Sequence, residues 1–306
     1  MSKNADTDRS GIGIRQNQSA VLRLLKARQW RWAVAARWQM AQLILVLVAP
    51  MLSVTLGQYQ PHSRPLISFI AVCFGIADTA FLDRVYREAL KSAARASELF
   101  DTMLFRLNWN ALAAGKRPSP EDTNRAVRGF DNLRGPQPIA DWYSPKVDGA
   151  PLPLARAVCQ RTNVSYDADL RTIYRNILWA VVTIVVIALV VTGLWRRVEF
   201  SDYILGAWVP TAPFITWTVR EAFRQTDAIR ANEGALAEAE KLINEIIAGQ
   251  ADPATAEARS RALQDAIFAN RAKTVLLFPG IYRLRRDDTE HKMHASAEHW
   301  LEKAGI

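Results

Sequence analysis

Three small groups of residues have types and spacings that permit chemistry. His291, His294 and Glu298 stand at i, i+3 and i+7, so a helix would carry all three on one face. Two imidazoles and a carboxylate within two turns are zinc-type ligands. The half-solvated face of a terminal helix has the same composition, His299 falls off that face, and His62 is far away in sequence. Cys159 is flanked by Arg156 and Arg161, and nearby cations favour a thiolate. No histidine stands near it to act as base, which leaves a packed core cysteine as the plainer reading. The third group is Asp78 with Thr79, in the apolar run GIADTAF. A carboxylate in a membrane span is costly unless it faces a polar interior or reaches the headgroups. Asp78 therefore reads either as a pore-facing or helix-bridging acid, or as an interfacial acid near the end of its run. The chain has no Walker A loop, GxGxxG, HExxH, CxxC or GxSxG. With no nucleophile–base set and no cofactor loop, an enzyme ranks last among the function classes and no cofactor is expected.

Helices must position these groups, and the sequence offers two kinds. Half of the 306 residues are hydrophobic and 23% are charged, but the charges lie between four apolar blocks. The first, 40–57, is 18 residues without a charge; the second, 65–82, carries only Asp78. A helix of that length covers about 27 Å, close to a hydrocarbon core of about 30 Å. The third, 177–195, is uncharged and rich in Val, Ile and Leu. The fourth, 203–219, is shorter and interrupted by Pro210 and Pro213, which remove backbone donors and bend a helix. The expected fold is an all-α membrane protein: four transmembrane helices in two hairpins, plus a helical cytosolic domain. Two cysteines exclude a disulfide-rich scaffold, and the apolar content excludes a disordered chain. The first apolar block begins after a long polar lead with no cleavage pattern behind it, so it reads as a retained span.

Charge sets the expected orientation. Residues 1–39 carry Arg15, Arg23, Lys26, Arg28, Arg31 and Arg37 and hold most of the net +9. Arg84, Arg87, Lys91 and Arg95 follow the second block, Arg171 and Arg175 precede the third, and Arg220 and Arg224 follow the fourth. Both termini and the middle segment, 83–176, then face the cytoplasm. Only Arg196–Arg197 in the second hairpin tip runs against this. Topology thus accounts for the basic balance, and there is no basic stripe interleaved with aromatics, so nucleic acid is not an expected partner. Gln16–Trp38 reads as a basic amphipathic helix lying on the inner leaflet or packing on the cytosolic domain. The middle segment starts and ends helical. The tail, 220–306, reads as helices over Glu221–Gly249, Ala254–Arg271 and about Asp287–Lys303, with a turn at Phe278-Pro279-Gly280.

Several short patches stand out along the chain. They are Ile14-Arg15-Gln16-Asn17, Phe100-Asp101-Thr102, Leu107-Asn108-Trp109-Asn110, Asp141-Trp142-Tyr143-Ser144 and Cys159-Gln160-Arg161-Thr162-Asn163. In the tail come Leu263-Gln264-Asp265-Ala266-Ile267 with Arg271, then Ile281-Tyr282-Arg283. In content and order they resemble the S-4TM family of pore-forming effectors, four-span proteins found with bacterial nucleotide-second-messenger (SMODS-type) defence systems. The resemblance covers most of the chain. It implies an abortive-infection effector of the bacterial inner membrane that assembles or rearranges on a cyclic nucleotide or partner-protein signal. It brings no catalytic residues. Its rivals are a membrane-anchored scaffold and a small transporter, the latter hinted at only by Asp78 and the Pro210/Pro213 break. A four-span monomer with few polar intramembrane groups is a poor channel, so a conducting state requires a homo-oligomer in the bilayer. Gly75, Ala77, Gly206 and Ala207 offer small surfaces for close helix packing.

Overall fold

The computed structural model describes residues 9–133, 139–196, 199–274, 276–277 and 295–306, without the side chains of Gln58, Tyr166 and Arg196. Among these residues 86% of the chain's structure is helix and there is no strand, only an isolated bridge between Arg9 and Pro151. After a short α1 (Ile12–Gln16), the helices are long: α2 (Ser19–Tyr59), α3 (Arg64–Ala77), α4 (Asp83–Phe105), α7 (Leu152–Arg196), α9 (Val209–Ile247) and α10 (Pro253–Lys273). Shorter pieces are α5 (Ala111–Ala114), α6 (Pro120–Asp131) and α8 (Phe200–Tyr203); residues 295–303 form a last helix. The Phe278–Gly280 turn, the Ile281–Arg283 patch, Arg197, His291 and His294 lie outside the described residues.

Among the described residues three helical stretches are long and apolar enough to cross a membrane: Ser19–Gly57, Pro61–Phe105 and Leu152–Trp195. The block at 203–219 does not make a fourth such stretch. It is divided among α8, a π-helical segment Ile204–Trp208 and the start of α9, which then continues through charged sequence to Ile247. The basic N-terminal stretch, read as a helix that leads into the first span, is part of that span's helix from Ser19 onward. It runs without a break into the first apolar block as the 41-residue α2, because neither a cap nor a Gly or Pro separates Trp38 from Met40.

Local chemistry explains the breaks. The amide of Val209 donates to the carbonyl of Ile204, an i→i+5 bond that frees the carbonyl of Leu205 from its α-helical donor. Pro210 has no N–H to offer the carbonyl of Gly206. Two serines from neighbouring helices supply the missing donors: Ser68 Oγ bonds the Leu205 carbonyl at 2.5 Å, and Ser53 Oγ bonds that of Gly206. Serine hydroxyls are a regular way to satisfy a broken helix in lipid. Pro213, one turn on, packs close to Gly75: a Cβ on that glycine would stand 3.7 Å from the proline ring. The prolines therefore seat the start of α9 against α2 and α3. Arg64 closes the far end, donating to the Gly57 carbonyl at 3.2 Å and pairing with Asp202 at 3.3 Å.

The other half of the molecule is a helical body with its own core. Phe100, Leu104 and Phe105 of α4, Leu154 to Cys159 of α7, and Leu242 and Ile243 of α9 pack with Tyr143, Trp300 and Leu301. Polar caps start its helices: Asp252 accepts from the amides of Ala254 and Thr255, Ser119 from that of Asp122, and Asn110 from those of Leu112 and Ala113. Asp148 accepts from Gly13 and Ile14 at the start of α1, at 2.6 and 3.0 Å. α6 lies so close on α2 that a Cβ at Gly129 would stand 2.3 Å from the Trp30 ring.

Candidate functional site

Between α3 and α4 the helix passes through a π-turn, Asp78–Leu82, in which the amide of Asp83 donates to the Asp78 carbonyl. Five residues of ordinary α-helix would set two side chains about 140° apart. The i→i+5 bond instead brings Asp78 and Asp83 to one side, toward Arg220 and Arg224, which share a face of α9 one turn apart.

Asp78 is 3% exposed. Its two oxygens accept from Gln42 Nε2 of α2 at 2.8 Å and from Arg220 Nη2 of α9 at 2.6 Å. One carboxylate thus ties three helices together. Asp83 receives a two-pronged contact from Arg224, at 2.8 and 3.0 Å, and another from Arg87 at 2.8 Å. Beside them Glu221 is buried, with Gln39 and Gln225 each at 3.4 Å. Burial pushes its carboxyl up to about 7, against the pull of Arg224. Gln39 also donates to the Leu276 carbonyl at 2.8 Å, and the Leu276 amide donates to the Tyr86 hydroxyl at 2.9 Å. The segment after α10 is thereby fastened to this junction. The arrangement can hold helices together through buried charge.

The Glu221 carboxyl links stability to pH. Its folded pKa lies above the unfolded value of 4.5, so its contribution is full below about pH 4.5 and is lost as pH rises through about 7. Melting curves in detergent micelles are expected to show wild type losing on the order of 3 kcal/mol across that window relative to Glu221→Gln. Parallel pH profiles for the two proteins would contradict the assignment.

The second polar assembly lies inside the helical body, and it collects the patches noted in sequence. At its centre Asp101, whose side chain is wholly buried, accepts from Tyr143 Oη at 3.1 Å, Gln264 Nε2 at 3.2 Å and Arg271 Nη1 at 2.6 Å. Gln264 also donates to Glu98 at 2.9 Å and accepts from Gln160 at 3.0 Å. Gln160 and Ser260 bond each other in both directions. Asn163 donates to Tyr143 Oη at 3.2 Å. Arg261 bridges Glu98 and Asp265, and Asp265 accepts from Asn110 at 2.8 Å. Burial beside Asp101 pushes the Tyr143 hydroxyl well above the usual phenol range. The opening patch bonds the Asp141–Ser144 patch directly. Gln16 exchanges two hydrogen bonds with the backbone of Tyr143, at 2.8 and 2.9 Å, and Asn17 two more with Asp141.

The remaining sequence candidates sit apart. Thr79 Oγ1 bonds the Gly75 carbonyl of its own helix and reaches no other. Pro210 and Pro213 lie in the first turns of α9, away from Asp78 in the chain, where they shape the α9 packing described above. Cys159 is buried in the apolar core. Trp109 bonds the Gly115 carbonyl, Trp142 stacks under Arg28 at 4.1 Å, and the Asn108 carbonyl receives Arg261. Arg161 holds Glu240 at 2.7 Å and lies over Trp300. Glu298 pairs with Lys146 at 2.8 Å, and no cluster of three metal-ligating side chains occurs among the described residues. Sequence reading passed over Gln39, Gln42, Asp83, Glu98 and Glu221. Gln42 stands inside an apolar block, and that was the available signal.

A family model for the SMODS-associating 4TM effector domain matches residues 10–300. A probable CBASS effector molecule of Bacillus cereus (strain VD146) is 22% identical over 289 residues, covering 91% of this chain and 94% of its own length. No solved structure matches. With the match running from α1 to the last helix, the chain belongs to the SMODS-associating 4TM effector family.

Proposed function

We propose that the protein is a bacterial anti-phage effector of the abortive-infection type that breaches the inner membrane when a nucleotide signal, or a partner protein carrying that signal, reaches its cytosolic body. The family and the CBASS effector relative support the defence role. In this reading the 203–219 block completes a fourth span, both termini lie in the cytoplasm, and residues 83–176 and 220–306 form the sensing part. It works by opening the membrane and not by turning over a substrate.

One observation carries the mechanism: the helices of the body continue directly into the apolar blocks, and buried charges couple them at the junction. α2, α4 with α3, and α9 all meet at Asp78, Gln42 and Arg220. A rearrangement in the body is therefore transmitted by rigid helix. In the closed monomer the apolar stretch of the third span is only 11% buried, which leaves it free for lipid or for further copies. Few polar groups line the spans, so conduction requires several chains.

Vesicles loaded with a self-quenching dye test the reading. Purified wild type is expected to be silent alone and to release dye when cyclic nucleotides are added, with release rising more steeply than protein concentration. A protein that inserts but never leaks, across lipid compositions and nucleotides, is a tether.

A further inference from the structure

Between α2, α4 and the start of α6 lies a cleft of about 300 Å³, within the range of small-molecule sites. Its rim carries four cations, Arg31, Arg95, Lys116 and Arg117, against one carboxylate, Asp122. That carboxylate already faces Arg125, at 3.9 Å. Arg95 spends its Nε on the Ala114 carbonyl at 3.1 Å. Arg31, Lys116 and Arg117 have no hydrogen bond or ion pair among the described residues. Like charges gathered around a concave space without counter-ions repel one another, and a bound anion relieves that repulsion. Leu24, Leu99 and Ala126 supply an apolar part of the lining. The space exceeds what a lone phosphate fills, and four cations match more than one phosphate charge. Guanidinium forks suit phosphate oxygens, and the apolar part of the lining suits a base.

We propose that this cleft binds a nucleotide carrying two or more phosphate groups, with Arg31, Arg95, Lys116 and Arg117 on its phosphates. The proposal rests on the nucleotide-triggered reading above and gives it a place. Arg31 belongs to α2 and Arg95 to α4, the helices that carry Gln42 and lead out of the Asp78 turn. A ligand that draws the 116–117 loop onto both helices acts on the two elements that the Asp78 contact fastens.

Calorimetry on the full chain in phosphatidylcholine nanodiscs tests it, with cyclic di-adenylate, cyclic tri-adenylate, cyclic guanylate–adenylate, ATP and adenosine as probes. At least one phosphate-bearing probe is expected to bind and adenosine is not. Lys116→Glu with Arg117→Glu, both exposed and without partners, is expected to weaken binding ~10-fold or more, and Arg31→Met similarly. Lys241→Glu, an exposed cation on α9, is expected to leave binding unchanged. The cleft is refuted if none of the probes binds, or if Lys241→Glu weakens binding as much. Competition by phosphatidylglycerol nanodiscs as strong as the cleft variants' effect would assign the cations to lipid headgroups and also refute it. Dye release with the same variants separates the two readings. Cleft-dependent binding without release keeps the cleft and ends the pore; triggered release that Lys116→Glu/Arg117→Glu leaves intact keeps the pore and ends the cleft.

Discussion

Vesicles carrying Asp78→Asn are expected to leak without any trigger, and the protein to melt well below wild type. The substitution keeps the volume and the Gln42 contact but removes the charge. Arg220 then sits beside a neutral amide in a largely buried place, and its Nε already lacks a partner. Removing one member of a buried pair costs about 3–5 kcal/mol, because the other charge is left uncompensated. Here that cost falls on the closed packing of α2, α3 and α9, since Asp78 is the carboxylate that touches all three. Adding Arg220→Met removes the orphaned cation, so the double variant is expected to recover most of the melting temperature and most of the closure. This recovery separates a lock from general damage. A variant whose only change is the cation preference of the triggered state, with closure intact, would place Asp78 on the conducting path instead.

The sequence made the helices legible more readily than their partners. The apolar block 177–195, the restart of helix near Leu154 and the break at Asp252-Pro253 all correspond to features of α7 and α10. These depend on local signals: run length, caps and proline. The lead of the basic helix into the first span was legible too, because a change from charged to apolar composition stops no helix. The π-turns at Asp78 and Ile204 have no residue signature. Each is fixed by what it must face, two arginines in one case and two serines in the other. Asp78 stood out from its apolar setting, but its partners lie 36 and 142 positions away, and no local pattern links them. The patches that carried the family resemblance are polar residues in helical sequence, where a solvated face is the ordinary expectation. Their convergence on Asp101 shows why Tyr143, Gln160, Asn163, Gln264 and Arg271 belong together. Glu98, one turn before Asp101, lacked any such flag.

Asp101→Ala is expected to be the most damaging single change in the helical body. Its carboxylate receives three donors from two separate segments: Tyr143 before α7, and Gln264 and Arg271 of α10, all onto α4. Arg271 is enclosed; burial pulls its guanidinium pKa down, and Asp101 foremost raises it above its usual value. A guanidinium does not give up its proton in a protein, so the cation remains when Asp101 is gone. An uncompensated buried cation with two further unsatisfied donors costs about 3–5 kcal/mol or more. Tyr143→Phe removes one neutral donor, and about 1 kcal/mol is expected. The two changes also differ in what they release. α10 reaches the core through Gln264 and Arg271, and the segment beyond it is fastened to Gln39 and Tyr86 at the membrane junction. Loss of Asp101 therefore loosens both ends of that connection. Hydrogen exchange should show α10 and Leu276 losing protection together in Asp101→Ala, with the apolar blocks unchanged. Loss confined to the neighbourhood of residue 101 would mean that body and junction are held independently, and that a signal in one has no path through α10 to the other.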